Sequence, residues 1–160
     1  MGEPTKLVTR EHLLSFRESC REGEKRVVWV NGCFDLCHAG HVQNLRFAKS
    51  LGDYLFVGLN SDRSIRGLKG PGRPILDQSE RAALLSAISY VDMILLIHGA
   101  SPDSTIRALK PDAVCKGEEY RGKLPIQKFV ERYGGKVHFS PMRSNISSTD
   151  IIERVRRAYP

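Results

Sequence analysis

His38 and His41 stand three residues apart with Gly40 between them, inside the run Asn31-Gly32-Cys33-Phe34-Asp35-Leu36-Cys37-His38-Ala39-Gly40-His41. Residues three apart at the start of a helix share one face, so both imidazoles would project together. A residue without a side chain at Gly40 lets an anion approach the backbone closely. Imidazoles beside open helical N–H groups make a donor site suited to phosphate. A second donor-rich stretch, Ser147-Ser148-Thr149, precedes Ile151, Ile152 and Val155 and has the form of another helix start. Capping accounts for one of its hydroxyls and leaves two for phosphate contact. Lys69 and Arg73 fall among Gly67, Gly70, Pro71, Gly72 and Pro74, a cationic and flexible loop that reads as a lid over phosphates rather than a solvated connector. Donors and cations dominate this inventory, which suits the splitting of a triphosphate, where a protein supplies position and charge neutralisation. No Ser/His/Asp triad, paired-carboxylate arrangement or Walker glycine loop competes. Cys33 and Cys37 beside the two histidines raise a zinc reading, but four ligands in nine residues are tighter than the usual two separated pairs. No metal site is therefore assigned to the side chains.

The elements that must position these groups follow from hydrophobic pattern. Val27, Val28, Trp29 and Val30 form the short β-branched and aromatic run of a strand buried on both faces. Val42, Leu45 and Ala48, with polar residues between them, predict an amphipathic helix. The histidines thus occupy a strand-to-helix corner, the place where open α/β sheets bind ligands. A helix from Thr9 to about Glu22, with Leu13, Leu14 and Phe16 inward, is expected to cover the sheet. Further strands are predicted at Tyr54 to Leu59, Met93 to Ile97, Ala113 to Lys116 and Val137 to Phe139, alternating with helices that begin near Asp77 or Ser79, Ser101-Pro102 and Ile126. Strand–helix alternation with right-handed crossovers implies a Rossmann-like α/β fold, an open parallel five-stranded sheet with helices on both faces.

At 160 residues the chain is expected to form one domain with one site. The net charge of +7 and isoelectric point near 9.4 would suit nucleic acid, an anionic membrane or a polyanionic small substrate. Basic residues are interleaved with Glu and Asp throughout, with no polybasic tail and few aromatics, so neither a nucleic-acid nor a membrane partner is expected. Four cysteines without a secretory framework read as reduced thiols in the cytoplasm.

Placed after a strand and before a helix, Gly32, Phe34, Asp35, His38, Gly40 and His41 match the complete Gly-x-Phe-Asp-x-x-His-x-Gly-His signature, and the chain resembles the HxGH nucleotidyltransferase superfamily. From about Lys25 to Arg157 it is similar to the sugar-phosphate and alcohol-phosphate nucleotidyltransferases, most closely to the heptose 1-phosphate adenylyltransferases of lipopolysaccharide precursor synthesis. The pieces that carry this are Leu51-Gly52-Asp53, Asn60-Ser61-Asp62, Leu68-Lys69-Gly70 with Arg73-Pro74, Lys116-Gly117 with Tyr120, and Ile146 to Ile151. The heptose type reads Lys-Gly-Gly-Asp-Tyr where this chain has Lys116-Gly117-Glu118-Glu119-Tyr120. The glycerol-phosphate cytidylyltransferases instead show a Gly-Asp-Asp-Trp-like loop there.

The resemblance implies transfer of AMP from ATP, with Mg²⁺, to a sugar 1-phosphate. Pyrophosphate would be released and an ADP-sugar formed. It implies catalytic roles for His38, His41 and Lys49, and nucleotide contacts from Asn31, Gly32, Cys33, Phe34, Gly40, Lys116, Gly117, Ser147, Ser148 and Thr149. Acceptor contacts would come from Asp35, Asn60, Asp62, Lys69, Arg73 and Tyr120. It also implies a homodimer or higher homo-oligomer. A kinase domain often precedes such modules, and a chain of 160 residues leaves no room for one, so a stand-alone transferase is expected. The alternatives are a CTP-using glycerol-phosphate cytidylyltransferase and, from another class, a basic nucleic-acid-binding module.

Overall fold

Alternating apolar runs and capped amphipathic segments resolve, in a computed structural model that describes residues 5–141 and 146–159, into one parallel sheet with helices on both faces. The order is α1 (Arg10–Glu22), β1 (Val27–Gly32), α2 (Ala39–Lys49), β2 (Tyr54–Asn60), α3 (Asp62–Lys69), α4 (Gln78–Ala87), β3 (Met93–Ile97), α5 (Asp103–Leu109), β4 (Ala113–Gly117), a 3₁₀ turn (Glu118–Tyr120), α6 (Gln127–Arg132), β5 (Lys136–Ser140) and α7 (Ser148–Ala158). Every strand pair is parallel and the spatial order is β3-β2-β1-β4-β5, the architecture expected from the pattern.

Period-two alternation divides the sheet side chains between two cores. Val28, Val30, Leu55, Val57, Leu59, Ala113 and Cys115 pack with Leu45 and Ala48 of α2 and Ala82 and Leu85 of α4. Val27, Trp29, Phe56 and Val114 face the other way, against Leu13 of α1, Ile106 and Leu109 of α5, and Val130 of α6. Right-handed crossovers require this split: the chain moves outward through β2 and β3 with helices on one face, then returns past β1 to β4 and β5 with helices on the other. Trp29 lies across β2, and a Cβ on Gly58 would sit 2.4 Å from its Cζ2, so only glycine fits there.

The starts of the strands are satisfied by aspartates. Asp53 accepts from the Arg26 N–H at 2.8 Å, Asp92 from Leu55 at 2.7 Å and Asp112 from Val27 at 2.7 Å. Each is balanced by a cation: Lys25 for Asp53, Lys49 for Asp92 and the buried Arg17 for Asp112. Lys49 is therefore committed to the edge of the sheet where the strands begin.

Two expectations are corrected. The stretch from Arg63 is not a flexible loop at first: Asp62–Lys69 is helical, capped by the Ser61 hydroxyl, which accepts from the Ser64 N–H, and anchored by buried Ile65. Gly70, at φ +91°, ends it. The inward face of α1 also includes Arg17 and Cys20, because Arg17 reaches Asp112 beneath it.

Candidate active site

The reversal of crossover direction between β1 and β4 opens a crevice at the carboxyl ends of the strands. A cleft of about 580 Å³ lies there. Asn31 and Gly32 at the end of β1 line it, as do Cys33, Phe34 and Asp35 of the turn that follows. Phe34 and Leu36 adopt left-handed conformations, φ +50° and +47°, which non-glycine residues occupy only when the surroundings hold them. Burial of the Phe34 ring and a saturated Asp35 carboxylate provide that hold. Asp35 accepts from Arg73 Nε at 2.7 Å and from the N–H groups of Ile75 and Leu76. Burial by itself would raise its pKa, but these donors overcome the burial and hold the carboxyl below the ordinary carboxylate range.

His38 occupies the N-cap of α2. Its N–H donates to His41 Nδ1 at 3.4 Å, the two rings stack with centroids 3.8 Å apart, and Phe34 lies against His41 at 5.2 Å. Burial first, then the neighbouring His38 and Lys69, pull the His41 pKa down to about 4. His41 is thus neutral near pH 7, with Nδ1 accepting and the proton on Nε2 as a donor. Burial also lowers the His38 pKa, opposed by Asp150. Its Nδ1 is buried, and the side chain faces the His41 backbone N–H across the start of α2.

Around this pair the structure gathers Gly40 of α2, Asn60 at the end of β2, Lys69 at the end of α3, Lys116, Gly117 and Tyr120 after β4, and Ser147, Ser148 and Thr149 at the start of α7. Lys116 donates to the Asn31 carbonyl at 3.2 Å and lies over the Tyr120 ring. It bridges β4 to β1 where the sheet reverses, and burial lowers its pKa. The hydroxyls at the start of α7 are less available than capping alone suggested. Ser147 caps the helix and bonds Asp150, and Ser148 donates to the Asp35 carbonyl at 2.6 Å. Phosphate is left the Thr149 hydroxyl and the open N–H groups of the first turn.

Three expected site residues are elsewhere. Lys49 ends α2, which is 11 residues long, roughly 16 Å along the axis from the histidines, where it donates to Asp92 at 2.6 Å. Asp62 is held by Arg81 at 2.7 Å and does not line the cleft. Arg73 is ion-paired to Asp35 under a largely closed surface, so it fastens its loop down instead of sweeping over phosphates. Asp35 does line the cleft, but its carboxylate is spent on that loop and not offered to an acceptor. Conversely, Gln43, Asn44 and Glu119 line the cleft without having been singled out. The helical phase of α2 would have found the first two, and the Lys116–Tyr120 loop the third.

The family model for cytidylyltransferase-like proteins matches residues 29–154. The chain is 44% identical to "Bifunctional protein HldE" of Trichlorobacter lovleyi over 97% of its length, and 41% identical to the protein of that name from Geobacter metallireducens over 96%. It spans 32% of each of these relatives. Among solved structures, it superposes on a lipopolysaccharide core biosynthesis protein from Thermoplasma volcanium with a TM-score of 0.61 and 30% identity, covering 76% of this chain and 99% of that one. Pantoate-beta-alanine ligase from Francisella tularensis shares the fold, with a TM-score of 0.65 and 17% identity over 96% of this chain and 77% of that one.

Proposed function

Since the chain belongs to the cytidylyltransferase-like family and is a nucleotidyltransferase, we propose that it transfers AMP from ATP to a heptose 1-phosphate, forming ADP-heptose for surface-glycan precursors. A phosphate oxygen of the sugar 1-phosphate attacks the α-phosphorus in line, the bond from that phosphorus to the bridging oxygen breaks, and pyrophosphate leaves. The observation that carries this reading is the stacked His38–His41 pair at a helix start on the sheet's reversal point. The neutral His41 presents Nε2–H to a phosphate oxygen, and its bond strengthens as charge builds there in the transition state. Lys69 and Lys116 neutralise phosphate charge from opposite sides. The first turn of α7 supplies N–H donors for the β- and γ-phosphates.

Magnesium enters as a companion of the triphosphate. No three His, Cys, Asp or Glu side chains converge as a metal site among the described residues, and Asp35 is saturated. An ion brought with the triphosphate would be carried mainly by phosphate oxygens, supplying charge neutralisation there.

Support for the heptose acceptor comes from the Lys116-Gly117…Tyr120 loop and from the likeness to the lipopolysaccharide core biosynthesis protein. Loop groups that read a base edge are left unsatisfied by the wrong base, at on the order of 1–3 kcal/mol per group. ATP should therefore be preferred to CTP by at least about tenfold in kcat/KM. A panel of triphosphates against heptose 1-phosphate and glycerol phosphate, read by pyrophosphate release, tests this. Preference for CTP with glycerol phosphate would replace it with the cytidylyl alternative. Action in the cytoplasm and self-association into a homo-oligomer belong to the same reading, the latter decided by light scattering. No helix among the described residues is long and apolar enough to cross a membrane.

A further inference from the structure

Arg81 lies outside the cleft lining and is fully buried on α4. Its guanidinium reaches four separate pieces of backbone and side chain. Nε donates to the Leu76 carbonyl at 3.1 Å, Nη1 to the carbonyls of Cys33 at 2.6 Å and Asn60 at 2.8 Å, and Nη2 to Asp62 Oδ1 at 2.7 Å. A buried ion pair adds little stability over a well-packed apolar side chain. What a guanidinium adds is geometry: a rigid fork that fixes several acceptors relative to one another, which neither lysine nor methionine can do.

The acceptors are the parts on which the cleft depends. Asn60 ends β2 and lines the cleft, and Asp62 opens α3, which carries Lys69 to it. Leu76 is held at both of its backbone groups, its N–H donating to Asp35 and its carbonyl accepting from Arg81. Together with the Cys33 carbonyl this closes a ring: Arg81 to Leu76, Leu76 to Asp35, and back along the chain through Phe34 to Cys33. Phe34 is the left-handed residue whose ring lies against His41.

We propose that Arg81 is a positioning residue for nucleotidyl transfer, holding the histidine corner, the end of β2 and the start of α3 in one geometry without touching substrate. This rests on the adenylyl-transfer reading. Misplacement of reacting groups by about 1 Å costs on the order of 100-fold in rate. Arg81→Met and Arg81→Lys should therefore lower kcat by about 100-fold, with the KM for ATP changed far less. Because part of its effect passes through His41, the loss in the Arg81→Met/His41→Ala double variant should fall well short of the product of the two single losses.

A second readout needs no substrate. The ¹⁵N imidazole signals of His41 should report the neutral Nε2–H form in the unaltered protein and a mixture of tautomers in the Arg81 variants. If the transfer assay proves silent with every triphosphate and acceptor, the proposed function fails, while the imidazole signals still decide the role of Arg81. Unchanged kcat per folded molecule, multiplicative losses in the double variant, or unchanged His41 signals would each overturn the proposal. Should Arg81→Met not fold, Asp62→Asn, which removes the charge partner alone, is measured the same way. Shifted His41 signals with reduced kcat would support the proposal, and wild-type behaviour in both would overturn it.

Discussion

A histidine that accepts at Nδ1 from a backbone N–H carries its own proton on Nε2 when neutral, so His41 needs no titration to become a donor. This sets the consequences of removing it. His38→Ala or His41→Ala should lower kcat by at least about 100-fold, the scale of losing one preorganised donor, with ATP affinity changed far less. Steady-state kinetics and equilibrium titration of each folded variant check this. The low pKa also has a signed effect on stability. The His41 value is about 4 in the fold against an ordinary 6.5, so as pH falls the unfolded chain takes up the proton first. Stability is unaffected by this group above about pH 6.5 and declines between about 6.5 and 4, by on the order of 3 kcal/mol in full. His38, whose pKa burial lowers against the opposing charge of Asp150, contributes in the same direction. Urea midpoints at pH 7.5 and pH 5 should therefore differ more for the unaltered protein than for His41→Asn.

At the scale of elements, the site stands on a fastened loop. Asp35 holds the segment that contains Arg73, Ile75 and Leu76. Asp35→Ala would remove a buried acceptor and leave the Arg73 guanidinium, whose side chain is 12% exposed, and two partly buried N–H groups without it. Breaking a buried pair from one side costs about 3–5 kcal/mol, and chemical denaturation should show a loss of that size. A loss below about 1 kcal/mol would mean the loop finds other partners. Much of this scaffold was legible beforehand. The apolar runs locate all five strands, and of the expected caps (Thr9, Asp77 or Ser79, and one of Ser147 to Thr149) it is Thr9, Asp77 and Ser147 whose oxygen accepts from an N–H two or three residues on. Helix α3 was hidden because its one buried aliphatic residue, Ile65, makes no periodicity, while Gly67, Gly70 and Gly72 argue for a loop. Lys49 is expected in the site from the resemblance alone; the 11 residues of α2 carry it to the far end of the sheet, where Asp92 takes its charge. Arg81 carried no signal, since a buried arginine is spelled the same as a solvated one.

For the whole molecule, the cleft joins two halves of the chain. His38, His41, Asn60 and Lys69 precede β3, whereas Lys116, Gly117, Tyr120 and Thr149 follow it, and the halves meet along the β1–β4 pairing of Val28 with Ala113 through Val30 with Cys115. The strand order thereby makes a prediction about kinetics. Contacts from β1 through β2 are local and can assemble early, but β1–β4 pairing spans most of the chain and must overcome a larger loop entropy first. A nucleotide that needs groups from both halves has no complete site until that last seam closes, so it stabilises the native state more than the folding transition state. In a chevron measured with saturating ATP, the unfolding arm should drop while the refolding arm stays where it was. An acceleration of refolding would show instead that the two halves are already joined at the top of the barrier.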